Sequence, residues 1–325
     1  MSVEIVHVLR GDKVESIHRG DIVGVDIDNN VLFEYGDSLK RTFWRSAAKP
    51  FQAIPLIEAG GIDKFKFNST ELALICSSHG GELRHVELIK TILNKIGKTV
   101  DDLDCGISNP MHVKTYIEML KKGQNFTKAN NPCSGKHSGM LTLGVLREYN
   151  LNNYININHE IQQEMLKSIS KITNLEIDDI DIAIDGCGVP VFGLPIYNMA
   201  LAYAKLGDKN RKESLKKISN AMIENPYYVA GTGRLDTIIM EETNGKILAK
   251  LGAESVYCMS IIDKGIGIAM KTEDGSYRGL DAVIPALLLK HGYIEKIEYE
   301  NIMKRVKVNI KNHRKEIVGK IISVI

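Results

Sequence analysis

The chain has no run of about 18 consecutive apolar residues, the length a membrane-crossing helix needs. It also has no excess of either charge sign, since 42 basic and 40 acidic residues leave a formal charge of +2. The first absence argues against a transmembrane helix, and the second against the strong positive field that nucleic acid binding normally requires. Cysteine is scarce and irregularly placed. Cys76, Cys105, Cys133, Cys187 and Cys258 are an odd number without a recurring spacing, so reduced thiols or metal ligands are expected in place of a disulfide framework. Internal repeats and low-complexity tracts are missing as well. The start, "MSVEIVHVLRGDK", lacks a basic segment leading into an apolar one, and a cytoplasmic location is expected. What remains is an ordinary globular composition, 44% hydrophobic and 25% charged over 325 residues, with ample material for a core and a small molecule as the expected substrate.

Residues 1–35 read as a strand meander, because "VEIVHVLR", "KVESIHRG", "DIVGVDID" and "NVLFEYG" are β-rich runs separated by Gly-Asp and Asn-Asn turns. Helical patterns then dominate, at 46–59, 83–96, 113–122, 138–149, 158–172, 194–206, 209–223 and 235–242, interrupted by short apolar strands such as "IDIAID" at 180–185. Strands return in "GKILAKLGAE", "SVYCMSI" and "GIGIAMKT", followed by a helix at 279–290 and a basic, β-like tail from Lys304. Strands at both ends with helices between them predict an α+β fold whose antiparallel sheet is completed by N- and C-terminal segments around an inserted helical region.

The stretch "RSAAKPFQAIPLIEAG" (45–60) puts Ser46 three residues before Lys49, and after Lys49 only Glu58 is ionised up to Gly60. Ser46 reads as the N-cap of the following helix, with Lys49 at its third position. The positive end of the helix dipole and the apolar neighbours both disfavour an ammonium there, and a neutral amine one turn from a hydroxyl can act as its base. Pro50 disturbs this geometry by restricting Lys49. The spacing alone is unspecific, for Ser168 with Lys171 and Ser214 with Lys217 repeat it on ordinary charged helices. A capping serine with a snorkelling lysine is the alternative.

Other stretches could supply partners. "LALICSSHGGE" runs from an apolar segment into Ser77, Ser78, His79 and paired glycines; His79, Glu82 and His85 could be metal ligands, although Gly80 and Gly81 break the helix that would align them. "NNPCSGKHSGML" and "DGCGVPVFG" present Cys133 and Cys187 among turn residues, with Lys136, His137 and Asp185 nearby. Two thiolates with one nitrogen or oxygen ligand would suit zinc, while two buried free cysteines are the alternative. "AGTGRLDT" sets Arg234 behind a glycine turn, suited to a carboxylate or to a structural ion pair. "GIGIAMKTEDG" ends an apolar strand in Lys271, a placement that taken alone belongs more often to a solvated surface.

Taken together and in order, "RSAAKPFQAIPLIEAG", "CSSHGGE", "CSGKHSGM", "DGCGVPVFGLP", "AGTGR", "GAESVY" and "GIGIAMKTEDG" resemble the rhizobial-type, thermolabile L-asparaginases over nearly the whole chain. That family's fold is similar to serine β-lactamases and penicillin-binding proteins. The resemblance implies a single β-lactamase-like domain over 1–325, with a sheet lobe at about 1–60 and 230–325 and a mainly helical lobe at about 61–229. It implies hydrolysis of L-asparagine to L-aspartate and ammonia by two Ser-Lys tandems, Ser46 with Lys49 and Ser78 with Lys271; Lys250 and Lys264 compete for the last place. It implies one zinc ion per chain on Cys133, Lys136 and Cys187 near Asp185, although chemistry alone would favour His137 over Lys136. Arg45, His79, Asp185 and Arg234 are the expected substrate-binding residues, and a homodimer is the expected assembly. The sequence departs from the β-lactamase pattern where Ser78 is followed by His79 and Gly80, and where Lys271 and Thr272 are followed by Glu273, so penicillin recognition is not expected. Glutamine, a peptide amide or a β-lactam on the same machinery, or a catalytically silent amino-acid-binding protein, remain as alternatives.

Overall fold

A computed structural model describes residues 1–325. The strands, in chain order, are β1 (Val3–Arg10), β2 (Lys13–Asp26), β3 (Val31–Tyr35), β4 (Arg41–Phe43), β5 (Asp181–Ile184), β6 (Pro190–Pro195), β7 (Ile247–Gly252), β8 (Val256–Ile261), β9 (Ile266–Thr272), β10 (Asn309–Lys311) and β11 (Ile317–Ser323). The chain divides into two compact units, one of residues 1–42, 195–209 and 238–325, the other of residues 43–194 and 210–237. Compared with the lobes expected from the sequence, 43–60 belongs with the helices and 195–209 with the sheet.

The first unit carries an antiparallel sheet in the order β10-β11-β1-β2-β9-β8-β7, with β3 also paired to β2. This is the α+β arrangement read from the sequence, with its sheet drawn from N- and C-terminal strands. Strand β2 is long enough to pair first with β1 and then with β3 along one edge, while its second half pairs with β9 along the other. Ile22, Val23 and Val25 are all buried there, so this half is covered on both faces. Helix Ile196–Leu206 packs so closely on β9 that a Cβ at Gly267 would run into the Ala200 carbonyl. Small residues at that crossing therefore set the helix-to-sheet distance.

The second unit is mainly helical, with a β5–β6 hairpin. The expected single helix at 46–59 is broken into a 3-10 turn at Arg45–Ala48 and short helices at Lys49–Gln52 and Ile54–Glu58. Pro50 and Pro55 explain the breaks, because each lacks an N–H and is tolerated only in a helix's first turn, where both are found. The apolar run before Ser77 forms helix Ser69–Ile75, started by a capping box in which Asn68 and Glu71 bond each other's backbone N–H. In the first unit, the basic tail begins later than expected, since Lys296–Arg305 is helical behind a Glu295–Glu298 capping box.

Candidate active site

In the second unit, three segments meet around Lys49: its own helix, the end of helix Ser69–Ile75, and the start of helix Ser134–Arg147. The last two approach closely because two glycines, one helical turn apart, face the shorter helix. A Cβ at Gly135 would run into the Leu74 carbonyl, and one at Gly139 would stand 2.7 Å from Ile75. Ser77 and Ser78, which follow the shorter helix, are thereby delivered to the lysine.

Lys49 is 1% exposed. Its Nζ donates to the Ser77 carbonyl at 2.6 Å, to Ser78 Oγ at 2.9 Å and to the Pro132 carbonyl at 3.1 Å. Three acceptors thus meet the three donors of a lysine head group, and none of them is Ser46. The expected Ser46–Lys49 contact is replaced by a Ser78–Lys49 contact. Ser46 is also not a helix cap: it lies half-buried inside the 3-10 turn, and Lys49 opens the helix. Just before it, Arg45 holds a left-handed backbone with φ +52, a conformation costing a non-glycine residue about 1 kcal/mol and recurrent at functional turns.

His79, expected among the substrate-binding residues, has no exposed surface, and both of its ring nitrogens are bonded within the chain. Its Nδ1 accepts from the Gly81 N–H at 3.1 Å, so Nε2 carries the proton and donates to Ser134 Oγ at 2.9 Å. Ser134 in turn donates to the Ala129 carbonyl. Burial, with a smaller push from His85 and Lys49, holds the imidazole's pKa well below its ordinary value. His79 is a positioning residue that ties the segment after Ser78 to the start of helix Ser134–Arg147. His85 and Glu82 are similarly committed, His85 to the Glu82 N–H and the Tyr227 carbonyl, Glu82 to Thr232. They do not form a metal site.

Arg45 and Asp185 pair with each other, Nε and Nη2 reaching Oδ1 at 3.0 and 2.9 Å. Asp185 stands in the turn joining β5 to β6, closed by its own N–H to the Val189 carbonyl and by the Gly188 N–H to its carbonyl. Burial would raise its pKa, but the nearby Lys136 and Arg45 charges outweigh that and keep it low. The pair leaves Arg45 Nη1 and Asp185 Oδ2 for a ligand. Arg234 follows the Gly231–Gly233 turn, and that turn lies against the Ser78 segment: Ser78 N–H donates to the Val229 carbonyl, and a Cβ at Gly231 would meet Gly80 N at 3.3 Å. Its guanidinium makes no ion pair within the chain.

Cys133, Lys136 and Cys187 converge as expected. Lys136 Nζ donates to Cys187 Sγ at 3.1 Å, and all three residues are buried. The two neighbouring thiols influence each other most strongly, which drives the Cys133 pKa down and the Cys187 pKa up. Burial works to lower the Lys136 pKa, but the two sulfurs and Asp185 raise it on balance. His137 points elsewhere: its Nδ1 takes the Tyr154 hydroxyl proton at 2.7 Å, because that hydroxyl already accepts the Asp104 N–H. Between the two sequence candidates, Lys136 is therefore the nitrogen beside the thiols. No three His, Cys, Asp or Glu side chains are grouped to hold a metal ion, so a zinc site here depends on the lysine. Two sulfurs and one amine nevertheless fit a tetrahedral cation with an open position, provided that Lys136 releases a proton on binding.

In the first unit, Lys271 is the penultimate residue of β9 and donates to the carbonyls of Glu254 and Thr272. Glu254 and Ser255 both have left-handed backbones, and Ser255 bonds the Thr272 hydroxyl at 2.8 Å, so the "GAES" and "KTEDG" stretches form one cluster. Lys250 is buried on β7, while Lys264 is exposed in the turn after β8.

Two further residues of the second unit escaped the sequence reading. Ser134 is the acceptor that fixes His79. Gln52 is 4% exposed, has no protein hydrogen-bond partner, and lines a chamber of about 10 Å³ shared with Lys49 and Lys136. That volume accommodates a single water. No motif announces either residue, since a Ser in a helix's first turn and a Gln inside an apolar stretch are common structural features.

Comparison with known proteins gives a family and little beyond it. No curated relative matches the sequence. Among solved structures, a putative β-lactamase from Bacteroides dorei DSM 17855 is similar at 12% identity and TM-score 0.40, over 78% of this chain and 84% of that one. Mglu in its tris and glutamate form is similar at 14% identity and TM-score 0.37, over 85% of this chain and 59% of that one. No helix is long and apolar enough to cross a membrane. The family model for L-asparaginase II matches residues 6–323, a span that takes in every candidate site residue, and the chain accordingly belongs to the L-asparaginase II family of amidohydrolases.

Proposed function

We propose that this amidohydrolase converts L-asparagine to L-aspartate and ammonia through a serine acyl-enzyme. The observation that carries the reading is the buried Lys49 head group, 2.9 Å from Ser78 Oγ and on the same short segment as Ser46. Lys49 first passes one of its three protons on through Ser78 to solvent; Nζ then takes the Ser46 hydroxyl proton as Oγ attacks the side-chain amide carbon, and the C–N bond breaks as that proton moves to the leaving nitrogen, which departs as ammonia. Water then attacks the ester, Ser46 recovers its proton, and aspartate leaves. Ser78 orients Lys49 and hands on the proton, with Lys271 as the expected partner from the resemblance. Beside Ser46, the Arg45–Asp185 pair offers one guanidinium nitrogen for the α-carboxylate and one carboxylate oxygen for the α-amine. Arg234 is a second carboxylate donor. Zinc, when bound by Cys133, Lys136 and Cys187, would supply a fixed positive charge near these groups.

A second reading makes Ser78 the nucleophile, and the Lys49–Ser78 hydrogen bond favours it directly. Both are tested by following ammonia release from asparagine by wild-type, Ser46→Ala, Ser78→Ala and Lys49→Ala proteins, with mass spectrometry locating the acylated peptide. Acylation at Ser46 supports the first reading, and acylation at Ser78 replaces it with the second. A folded Ser46→Ala, Ser78→Ala double variant that still releases ammonia at the wild-type rate would sink both. Glutamine and a β-lactam belong in the same assay, because one methylene changes specificity by only about 1–3 kcal/mol.

A further inference from the structure

A roomy cleft of the second unit lies away from the Lys49 cluster, and the proposed reaction does not use it. It has a volume of about 490 Å³, the size range of small-molecule sites. Its floor is apolar, formed by Ile54, Pro55, Ile172 and Leu215. The two extra Ser-x-x-Lys spacings in the sequence converge on it: Ser168, Lys171 and Ser214 line the cleft, and Lys217 lines its extension.

The rim is electrostatically unresolved. Lys167, Lys171 and Lys212 all line it, and none of their ammonium groups makes an ion pair or hydrogen bond within the chain. Lys167 and Lys171 are one turn apart on helix Glu160–Thr173, a like-charge spacing that is mildly unfavourable. Lys171, in the last turn, is offset by the helix dipole, but Lys167 is not. Lys212 is worse placed, because it is the N-terminal flanking residue of the 12-residue helix Glu213–Glu224, at the positive end of that dipole. The acidic residues nearby relieve little of this. Glu164 is taken by the Tyr149 hydroxyl at 2.7 Å and by Arg147 at 3.6 Å. Glu58 is held by Ser214 at 3.2 Å, on the floor side.

We infer that this cleft binds a nucleoside phosphate. A phosphate chain between Lys212 and the Lys167–Lys171 pair would neutralise all three ammonium groups and meet the free N–H groups at the start of helix Glu213–Glu224. The apolar floor accepts the face of a heterocyclic base. The remaining lone pairs of Glu58 accept from N–H or O–H donors of a base or ribose. A carboxylate at that place tells against a bare oligophosphate, which has no donors to offer it. The inference is independent of the asparaginase reading.

Calorimetric titration of the full chain with magnesium-free ATP and, separately, with tripolyphosphate tests it. ATP is expected to bind more tightly than tripolyphosphate. Its affinity should fall roughly tenfold or more in Lys167→Gln/Lys171→Gln and again in Lys212→Gln, with unchanged circular dichroism. Lys114→Gln/Lys121→Gln, on the exposed helix Val113–Lys121, should leave binding unaltered. Absence of ATP binding at millimolar concentration, or binding indifferent to the three cleft lysines, would overturn the site. Tripolyphosphate binding as tightly as ATP would overturn the nucleoside assignment.

Discussion

Acidification from pH 7 to 5.5 should weaken the fold, and two histidines that stay neutral when buried contribute up to about 2.5 kcal/mol of the loss. His79 and His137 are buried without exposed surface, and burial holds the pKa of each well below the ordinary 6.5. Both are wired as neutral rings. Nδ1 of His79 accepts from the Gly81 N–H, and Nδ1 of His137 accepts from the Tyr154 hydroxyl, so an added proton has nowhere to go without breaking a hydrogen bond. In the unfolded chain the same rings titrate freely near 6.5. The unfolded state therefore binds more protons below that pH, and stability falls as the pH falls. Each ring contributes about 1.2 kcal/mol of loss between pH 7 and 5.5, since one bound proton is worth about 1.4 kcal/mol per pH unit once titration is under way. His85, also lowered by burial, acts in the same direction.

The carboxylates do not blur this window. Asp185 and Glu82 have lowered pKa values, so what they contribute is fully present above their unfolded values near 3.8 and 4.5 and is lost only below that range. Urea unfolding followed by circular dichroism at pH 7 and 5.5 gives the comparison, and His79→Gln, which can still donate to Ser134, should remove about half of the difference. An unfolding free energy that is the same at both pH values would refute the claim that these rings stay neutral when buried. So would a difference that His79→Gln leaves intact.

Lys49→Met removes three buried hydrogen bonds, and it should cost about 2–4 kcal/mol in urea unfolding while abolishing ammonia release. Gly135→Ala drives a methyl group into the Leu74 carbonyl, and it should destabilise by about 1–3 kcal/mol and lower kcat by moving Ser77 and Ser78, seen by thermal melting and steady-state kinetics together. Asp185→Asn keeps the shape of the turn but removes the charge expected to hold the α-amine, so KM for asparagine should rise about tenfold or more with a smaller change in kcat. With zinc supplied, native mass spectrometry should find one ion per chain in the wild type and none in Cys133→Ser or Cys187→Ser; retention by both variants would remove the metal from that site.

The sheet was legible because its strands carry their own evidence: β2, β8 and β9 are β-rich runs bounded by turn residues, and pairing them needs no information from elsewhere. Helices with a long amphipathic period were legible for the same reason. The stretch at 45–60 was not, because two prolines break a pattern whose apolar periodicity reads as one helix, and the displaced backbone turns Lys49 from Ser46 toward Ser78. Sequence spacing constrains contacts within one element, whereas the partners of Lys49 are contributed by residues about 30 and 80 positions away, brought in by glycines at 135 and 139 that carry no chemical signature of their own. The Cys133, Lys136 and Cys187 group was only an open possibility from the residues, since no cysteine spacing announces it, and that Lys136 and not His137 lies beside a thiol follows from the bond of His137 to Tyr154, a residue no motif includes. His79 shows the same limit from the other side. A histidine beside a candidate serine invites a catalytic role, but its two nitrogens are already committed to Gly81 and Ser134, so the residue's chemistry is spent on holding the site in place.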